Sequence, residues 1–138
     1  MISKTGIHAT LALVCMAHAD PAAYTGATKI AAEVGAPPNY LGKLLKQLAQ
    51  EGLLESRKGL NGGFKLARPP HKITLYDVVE PIDHISKWNG CLLGRGKCSE
   101  TKPCPVHHRW SKVRREYLKF MKETTIAELA DKQQTHNN

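Results

Sequence analysis

The stretch PPNYLGKLLKQLAQEGLLESRKGLNGGFKLA, residues 37–67, decides the fold. Pro37-Pro38 opens it, and proline is tolerated in a first helical turn, where its missing N–H would have no partner. Tyr40, Leu41, Leu44, Leu45 and Leu48 recur at three- and four-residue spacing, the apolar face of a helix from Pro38 to Gln50. Gly52 ends that helix. Two short strand-like runs follow, Leu53 to Arg57 and Phe64 to Ala67, flanking Lys58-Gly59-Leu60-Asn61-Gly62-Gly63. Asn-Gly and Gly-Gly permit the positive φ angles of a tight hairpin.

Upstream, Ile7, Leu11, Val14 and the alanines between them mark a first helix over residues 3–18, broken by Asp20-Pro21. Ala27, Ile30, Ala31 and Val34 form a second, short stripe, with Thr25 or Thr28 as its expected cap and Gly35 at the C′ position. Downstream, Pro69-Pro70 closes the hairpin unit. Thr74 followed by Asp77 opens a fourth helix, which Pro81 is expected to end or bend. Periodicity is lost over residues 84–105 and resumes with Trp110, Val113, Tyr117 and Phe120 on a long helix. Thr125 and Glu128 form a capping box for a last short one. The fold class is mainly α with a small β-hairpin wing: a winged helix-turn-helix plus a long C-terminal dimerisation helix. The expected organisation is a DNA-binding region at 1–80, a cysteine-rich cluster-binding loop at 81–105, and a dimerisation helix with its tail at 106–138. All three belong to one compact domain.

Composition narrows the function. The chain has 138 residues, 20 Lys and Arg against 12 Asp and Glu, and a net charge of +8. Such a surplus on a small chain points to a polyanionic partner, nucleic acid before an anionic membrane. Lys4, the apolar run Ala9 to Ala17 and Ala17-His18-Ala19 imitate a signal peptide, but Gly6 and His8 interrupt the place where its apolar region should begin. No apolar run approaches the roughly 20 residues of a membrane span. The expected location is the cytoplasm, where thiols stay available for metal or redox chemistry.

In a winged helix-turn-helix the second helix of the motif enters the major groove. Asn39, Tyr40, Lys43 and Lys46 are the expected groove-facing set: asparagine reads adenine through two hydrogen bonds, and lysine reaches guanine or phosphate. The hairpin adds Arg57, Lys58 and Lys65 for phosphate or minor-groove contact. Asn61, Gly62 and Gly63 shape a tip whose backbone is expected to approach the duplex closely.

A second constellation is Cys91, Cys98, Cys104 and His107, with six, five and two residues between successive members. Thiolates and imidazole suit iron–sulfur clusters, zinc or copper(I). Structural zinc sites favour gaps of about two to four residues between paired ligands, whereas clusters accept wider gaps and histidine in place of cysteine. A cluster is the favoured reading, of two or four irons, with structural zinc as the alternative. Cys15 lies on the apolar stripe of the first helix and is expected in the core. Cys104 with His107 also permits a Cys/His redox enzyme without DNA binding, but nothing else in the chain resembles a substrate pocket. The expectation is a non-enzyme.

Nearly the whole chain resembles the Rrf-type family of bacterial regulators, to which the iron–sulfur regulator IscR and the nitric oxide sensor NsrR belong. The resemblance rests on Ser3-Lys4 to Ala12, Asn39-Tyr40-Leu41, Glu51-Gly52-Leu53-Leu54 and the wing from Lys58 to Phe64. The three cysteines and Thr124-Thr125-Ile126-Ala127-Glu128-Leu129 complete it. It implies a homodimeric winged-helix repressor or activator that reads the state of its cluster; a repressor is the expected role, and two-fold symmetry would match a pseudo-palindromic operator. By that likeness Cys91, Cys98 and Cys104 are cluster ligands and His107 matches the IscR-type fourth ligand. Ile7 stands where the NsrR-type ligand is an aspartate, and Gly42 where IscR carries an acidic residue. Cluster type, effector and operator sequence therefore do not carry over. The long helix supplies the dimer interface through Trp110, Val113, Tyr117 and Phe120, with Leu118 and Met121 beside them.

Overall fold

The computed structural model describes residues 2–87 and 105–131. The elements run α1 (Lys4–Ala17), α2 (Ala27–Val34), α3 (Pro38–Gln50), β1 (Leu54–Arg57), β2 (Gly63–Leu66), α4 (Leu75–Asp83), α5 (His107–Glu123) and α6 (Ile126–Leu129). Short 3₁₀ turns lie at Pro70–Lys72 and Ile85–Lys87.

Ser3 caps α1, its hydroxyl accepting from Gly6 N at 3.0 Å. The buried face of α1 is Ala9, Ala12, Leu13 and Met16. Ile7 and Leu11, expected on the core stripe, are instead 46% and 45% exposed. The reason is crowding: α1 touches α2, α3, α4 and α6, and small side chains let those backbones approach. At α2 the cap is Gly26, and neither Thr25 nor Thr28 caps by its side chain. Thr25 is committed elsewhere, pairing with Phe64 through two backbone hydrogen bonds of 2.8 Å. Gly35 does close α2 in the left-handed region, at φ +81°.

Helix α3 has the expected bounds and buries Leu41, Leu44, Leu45 and Leu48. The hairpin is antiparallel, with Leu54 opposite Leu66, Glu55 opposite Lys65, Ser56 opposite Phe64 and Arg57 opposite Gly63. Thr25 adds a third-strand stub beside β2. Thr74 and Asp77 form the expected capping box of α4. Pro81 does not end that helix. It lies in the last turn, where one lost hydrogen bond is tolerated, and the helix continues to Asp83 before His84 reverses the chain at φ +50°.

One core joins α1, α2, α3 and the hairpin, with Leu13, Ile30, Leu41, Leu45, Leu48 and Leu53 almost fully enclosed. Each such side chain contributes about 1.5–3 kcal/mol of burial. Ile126 of α6 enters this same core. Its backbone is tied in by Ile126 N donating to Ile73 O at 2.8 Å and Leu75 N to Thr124 O at 2.9 Å. Leu75, Val79, Ile85 and Met121 make a smaller cluster where α4 meets the end of α5, with Tyr117 and Leu118 against it.

Candidate nucleic-acid interface

The same periodicity that buries the leucines of α3 turns Asn39, Lys43 and Lys46 outward, all exposed. Gln47 and Gln50 share that exposed side. Neither glutamine was singled out from sequence, although steps of three and four from Asn39 and Lys43 reach them. Asn39, Lys43 and Gln47 line a shallow open depression with Thr5, Tyr40 and Leu44. Tyr40 has a different role from its neighbours. It is half-buried, its ring edge-on to His8 at 5.6 Å. Its hydroxyl lies 3.1 Å from His8 Nδ1 and donates to Thr5 Oγ1 at 3.1 Å. Tyr40 thus fixes α3 to α1, and His8 is engaged in that packing.

On the wing, Arg57, Lys58 and Asn61 are exposed. Asn61 adopts φ +61°. Gly62 and Gly63 have an intrachain reason for being glycine. A Cβ at Gly62 would collide with the Arg57 carbonyl, and one at Gly63 with the Thr25 carbonyl. Their smallness closes the turn and admits the third strand. Tyr24, which sequence reading passed over, forms a platform on the outer face of this sheet. Lys65 Nζ lies 4.9 Å from its ring centroid and the Arg57 guanidinium carbon 5.6 Å. Lys65 also pairs with Glu55 at 3.6 Å. Cation–π contact at a half-exposed ring contributes about 0.5–1 kcal/mol and holds both cations on the wing. No sequence pattern marks Tyr24, because the Thr25–Phe64 pairing that places it joins distant segments.

Cys15 is half-buried, its thiol 2.9 Å from Glu33 Oε2. Burial first, then the hydrogen bond to the Glu33 carboxylate, push its pKa up to about 12. It packs against the margin of the core rather than inside it, where the apolar stripe of α1 had placed it. Cys91, Cys98 and Cys104 lie outside the described residues. Among the described residues no group of three His, Cys, Asp or Glu side chains is arranged to hold a metal. His107 opens α5 and is buried, 6% exposed, with its ring edge-on to His108 at 5.2 Å. Its Nδ1 has no hydrogen-bond partner.

The four residues expected at a dimer interface divide. Val113 and Phe120 are 58% and 54% exposed, whereas Trp110 and Tyr117 are half-buried. Tyr117 packs against the α4–α5 cluster, and burial, then the Asp83 carboxylate, raise its phenol above its ordinary range. Leu118 and Met121, expected beside the interface, pack within the chain. Among the described residues no helix is long and apolar enough to cross a membrane.

The sequence profile of the Rrf2 family, described as an iron-dependent transcriptional regulator, matches residues 2–132. A "Putative HTH-type transcriptional regulator" of Aquifex aeolicus is 39% identical over 102 residues, 72% of this chain and 71% of that protein. The relative YffB of Lactococcus lactis, described in the same words, is 31% identical over 106 residues, 73% and 68% of the two chains. Among solved structures, CymR, the global cysteine regulator of B. subtilis, superposes with a TM-score of 0.79 at 22% identity, covering 94% of this chain and 95% of its own. T. potens IscR superposes with a TM-score of 0.73 at 23% identity, covering 100% and 93%.

Proposed function

The chain belongs to the Rrf2 family of transcriptional regulators, and from that premise we propose that its affinity for DNA is set by an iron–sulfur cluster. The fold alone does not choose the effector, since it also serves a global cysteine regulator. What carries the choice here is His107: a buried imidazole with an unpartnered Nδ1, three residues beyond Cys104. A buried polar atom without a partner is costly, and ligation satisfies it. Three thiols and one imidazole are donors that fit a cluster, so Cys91, Cys98, Cys104 and His107 are its proposed ligands. When bound, the cluster supplies a centre responsive to nitric oxide, redox state or iron–sulfur supply.

The protein's own residues do the reading of DNA. Lys43 and Lys46 neutralise phosphates and Asn39 meets base edges from the start of α3, while Arg57 and Lys58 reach the flanking backbone from the wing. A second copy covers the exposed side of α5, through Val113 and Phe120 with Trp110 and Tyr117 at its margin. Two-fold symmetry then sets two recognition helices roughly 34 Å apart on a pseudo-palindromic operator. In sequence, Cys91, Cys98 and Cys104 fall between α4 and α5, so a cluster that binds one relative placement of the two recognition helices better shifts the population toward it. The regulator acts as a repressor in this reading.

Anaerobic purification tests it. The protein should be brown or red, carry iron and sulfide, and bind operator with an affinity that changes when the cluster is removed. Cys98→Ala and Cys104→Ala should abolish stable loading. A colourless zinc protein, or cysteine variants that bind operator like the loaded parent at matched salt, would refute the reading.

A further inference from the structure

Every residue from Glu55 to Asn61 is exposed, and Leu60 is the one apolar side chain among them. It is 91% exposed, against 40–58% for the other large apolar side chains at the surface of the described residues. It joins neither apolar cluster of the chain. The turn that carries it is nevertheless fixed. Gly62 N donates to Gly59 O at 3.0 Å, closing a four-residue turn with Leu60 and Asn61 at its centre. Asn61 holds φ +61°, the left-handed angle that a type II turn needs at its third residue. A Cβ at Gly62 would meet the Arg57 and Gly59 carbonyls, so the tip is folded tightly back on its own strand. Leu60 is thus held out on a preorganised backbone, and little ordering remains to be done on binding.

The surroundings say what covers it. A protein partner needs roughly 800 Å² of surface on each side, and a lone leucine between exposed Lys58 and Asn61 offers no such patch. Arg57 and Lys58 stand three and two residues before it, so the surface that meets this tip is anionic, with an apolar slot between its charges. The minor groove of a duplex has that form: walls of sugar about 6 Å apart, edged by phosphates, into which DNA-binding proteins insert leucine among other apolar side chains. We propose that Leu60 enters the minor groove beside the bases met by α3 and makes the protein select A·T pairs there. This rests on the DNA-binding reading above and adds a residue that discriminates bases without a hydrogen bond. On the groove floor both kinds of pair present acceptors, and a G·C pair adds the guanine 2-amino donor. A leucine seated over that donor shuts it from water and supplies no acceptor, so G·C is disfavoured.

The full chain and Leu60→Ala, both purified anaerobically, are each used to select from a pool of random-sequence duplexes. Positions where the parent selects A·T and Leu60→Ala does not are the footprint of the leucine. In the duplex the parent selects, those pairs are then replaced by G·C or by inosine·C, which keeps the major-groove acceptors of G·C and lacks the 2-amino group. Fluorescence anisotropy at fixed salt should show G·C weakening the parent about tenfold and inosine·C restoring it to within about twofold. Leu60→Ala should bind the A·T duplex about tenfold more weakly than the parent and lose most of the G·C penalty. Its urea midpoint should match the parent's, because the side chain packs on nothing in the chain. The inference is overturned, with DNA binding through α3 left standing, if Leu60→Ala selects the same bases as the parent or if inosine·C binds as weakly as G·C. Binding to phosphatidylglycerol vesicles that depends on Leu60, with duplex selection unchanged, overturns it in favour of a membrane surface. A parent that selects no duplex overturns the DNA-binding reading as well.

Discussion

Replacing Gly63 by alanine tests how the wing is built, because the same substitution at Gly59 supplies an internal control. Both glycines have positive φ, +143° and +89°, so alanine at either is strained by about 1–3 kcal/mol. Around Gly59 the space is open. At Gly63 the new Cβ drives into the Thr25 carbonyl and must push the third-strand stub away. That displacement breaks two backbone hydrogen bonds of 2.8 Å between Thr25 and Phe64. At about 0.5–1.5 kcal/mol each, their loss makes Gly63→Ala less stable than Gly59→Ala by about 1–3 kcal/mol. Urea unfolding measures this as a difference in midpoint at constant slope. The Tyr24 platform moves with the stub, so Arg57 and Lys65 lose their support and DNA binding weakens at temperatures where the variant is still folded. Equal stabilities for the two variants would refute the pairing of Thr25 with Phe64 as the constraint at Gly63.

Other outcomes follow from the exposed surfaces and the thiol. Lys43→Ala should weaken DNA binding while leaving the visible spectrum intact, and if it contacts a phosphate the log–log salt slope should fall by about 1, measured by fluorescence anisotropy across a salt series. Phe120→Glu combined with Val113→Lys should give a folded monomer in sedimentation, since both side chains are largely exposed in the single chain; a dimer of unchanged affinity would place the interface elsewhere. Cys15, raised from 9.0 to about 12, should alkylate at pH 8 at least about tenfold more slowly than the same thiol in an unfolded peptide, the loss of thiolate outweighing the higher nucleophilicity of a more basic thiol, read by peptide mass mapping. Because its folded pKa is raised, the stability it contributes is whole below pH 9 and is lost as pH climbs from 9 towards 12.

Local signals in the chain were enough for most elements. The leucine spacing of α3, the capping boxes at Thr74 and Thr125, and the glycine stop at Gly35 depend on neighbours within four residues, so they read directly. The exposed set Asn39, Lys43 and Lys46 follows from the same period, because burying one face of a helix fixes the other. Where reading failed, the deciding contact was distant in sequence. Ile7 and Leu11 look like core residues until α2, α4 and α6 are seen crowding the alanine face of α1 instead. Thr25 looks like a cap until its backbone is found paired to Phe64.

The sequence by itself therefore determined the order of elements, the winged architecture and the exposed basic side of α3. Each of these is written in short-range pattern, charge or residue chemistry. Only the tertiary structure decided which faces those elements present. It withdrew Tyr40 into the α1–α3 packing and set Tyr24 beneath the wing cations. It also turned the polar stripe His107–Ser111–Arg114 inward, about 100° from the stripe that hydrophobicity alone picks out on α5. A helical period specifies that a face exists; which face is buried depends on the partners that long-range packing brings to it.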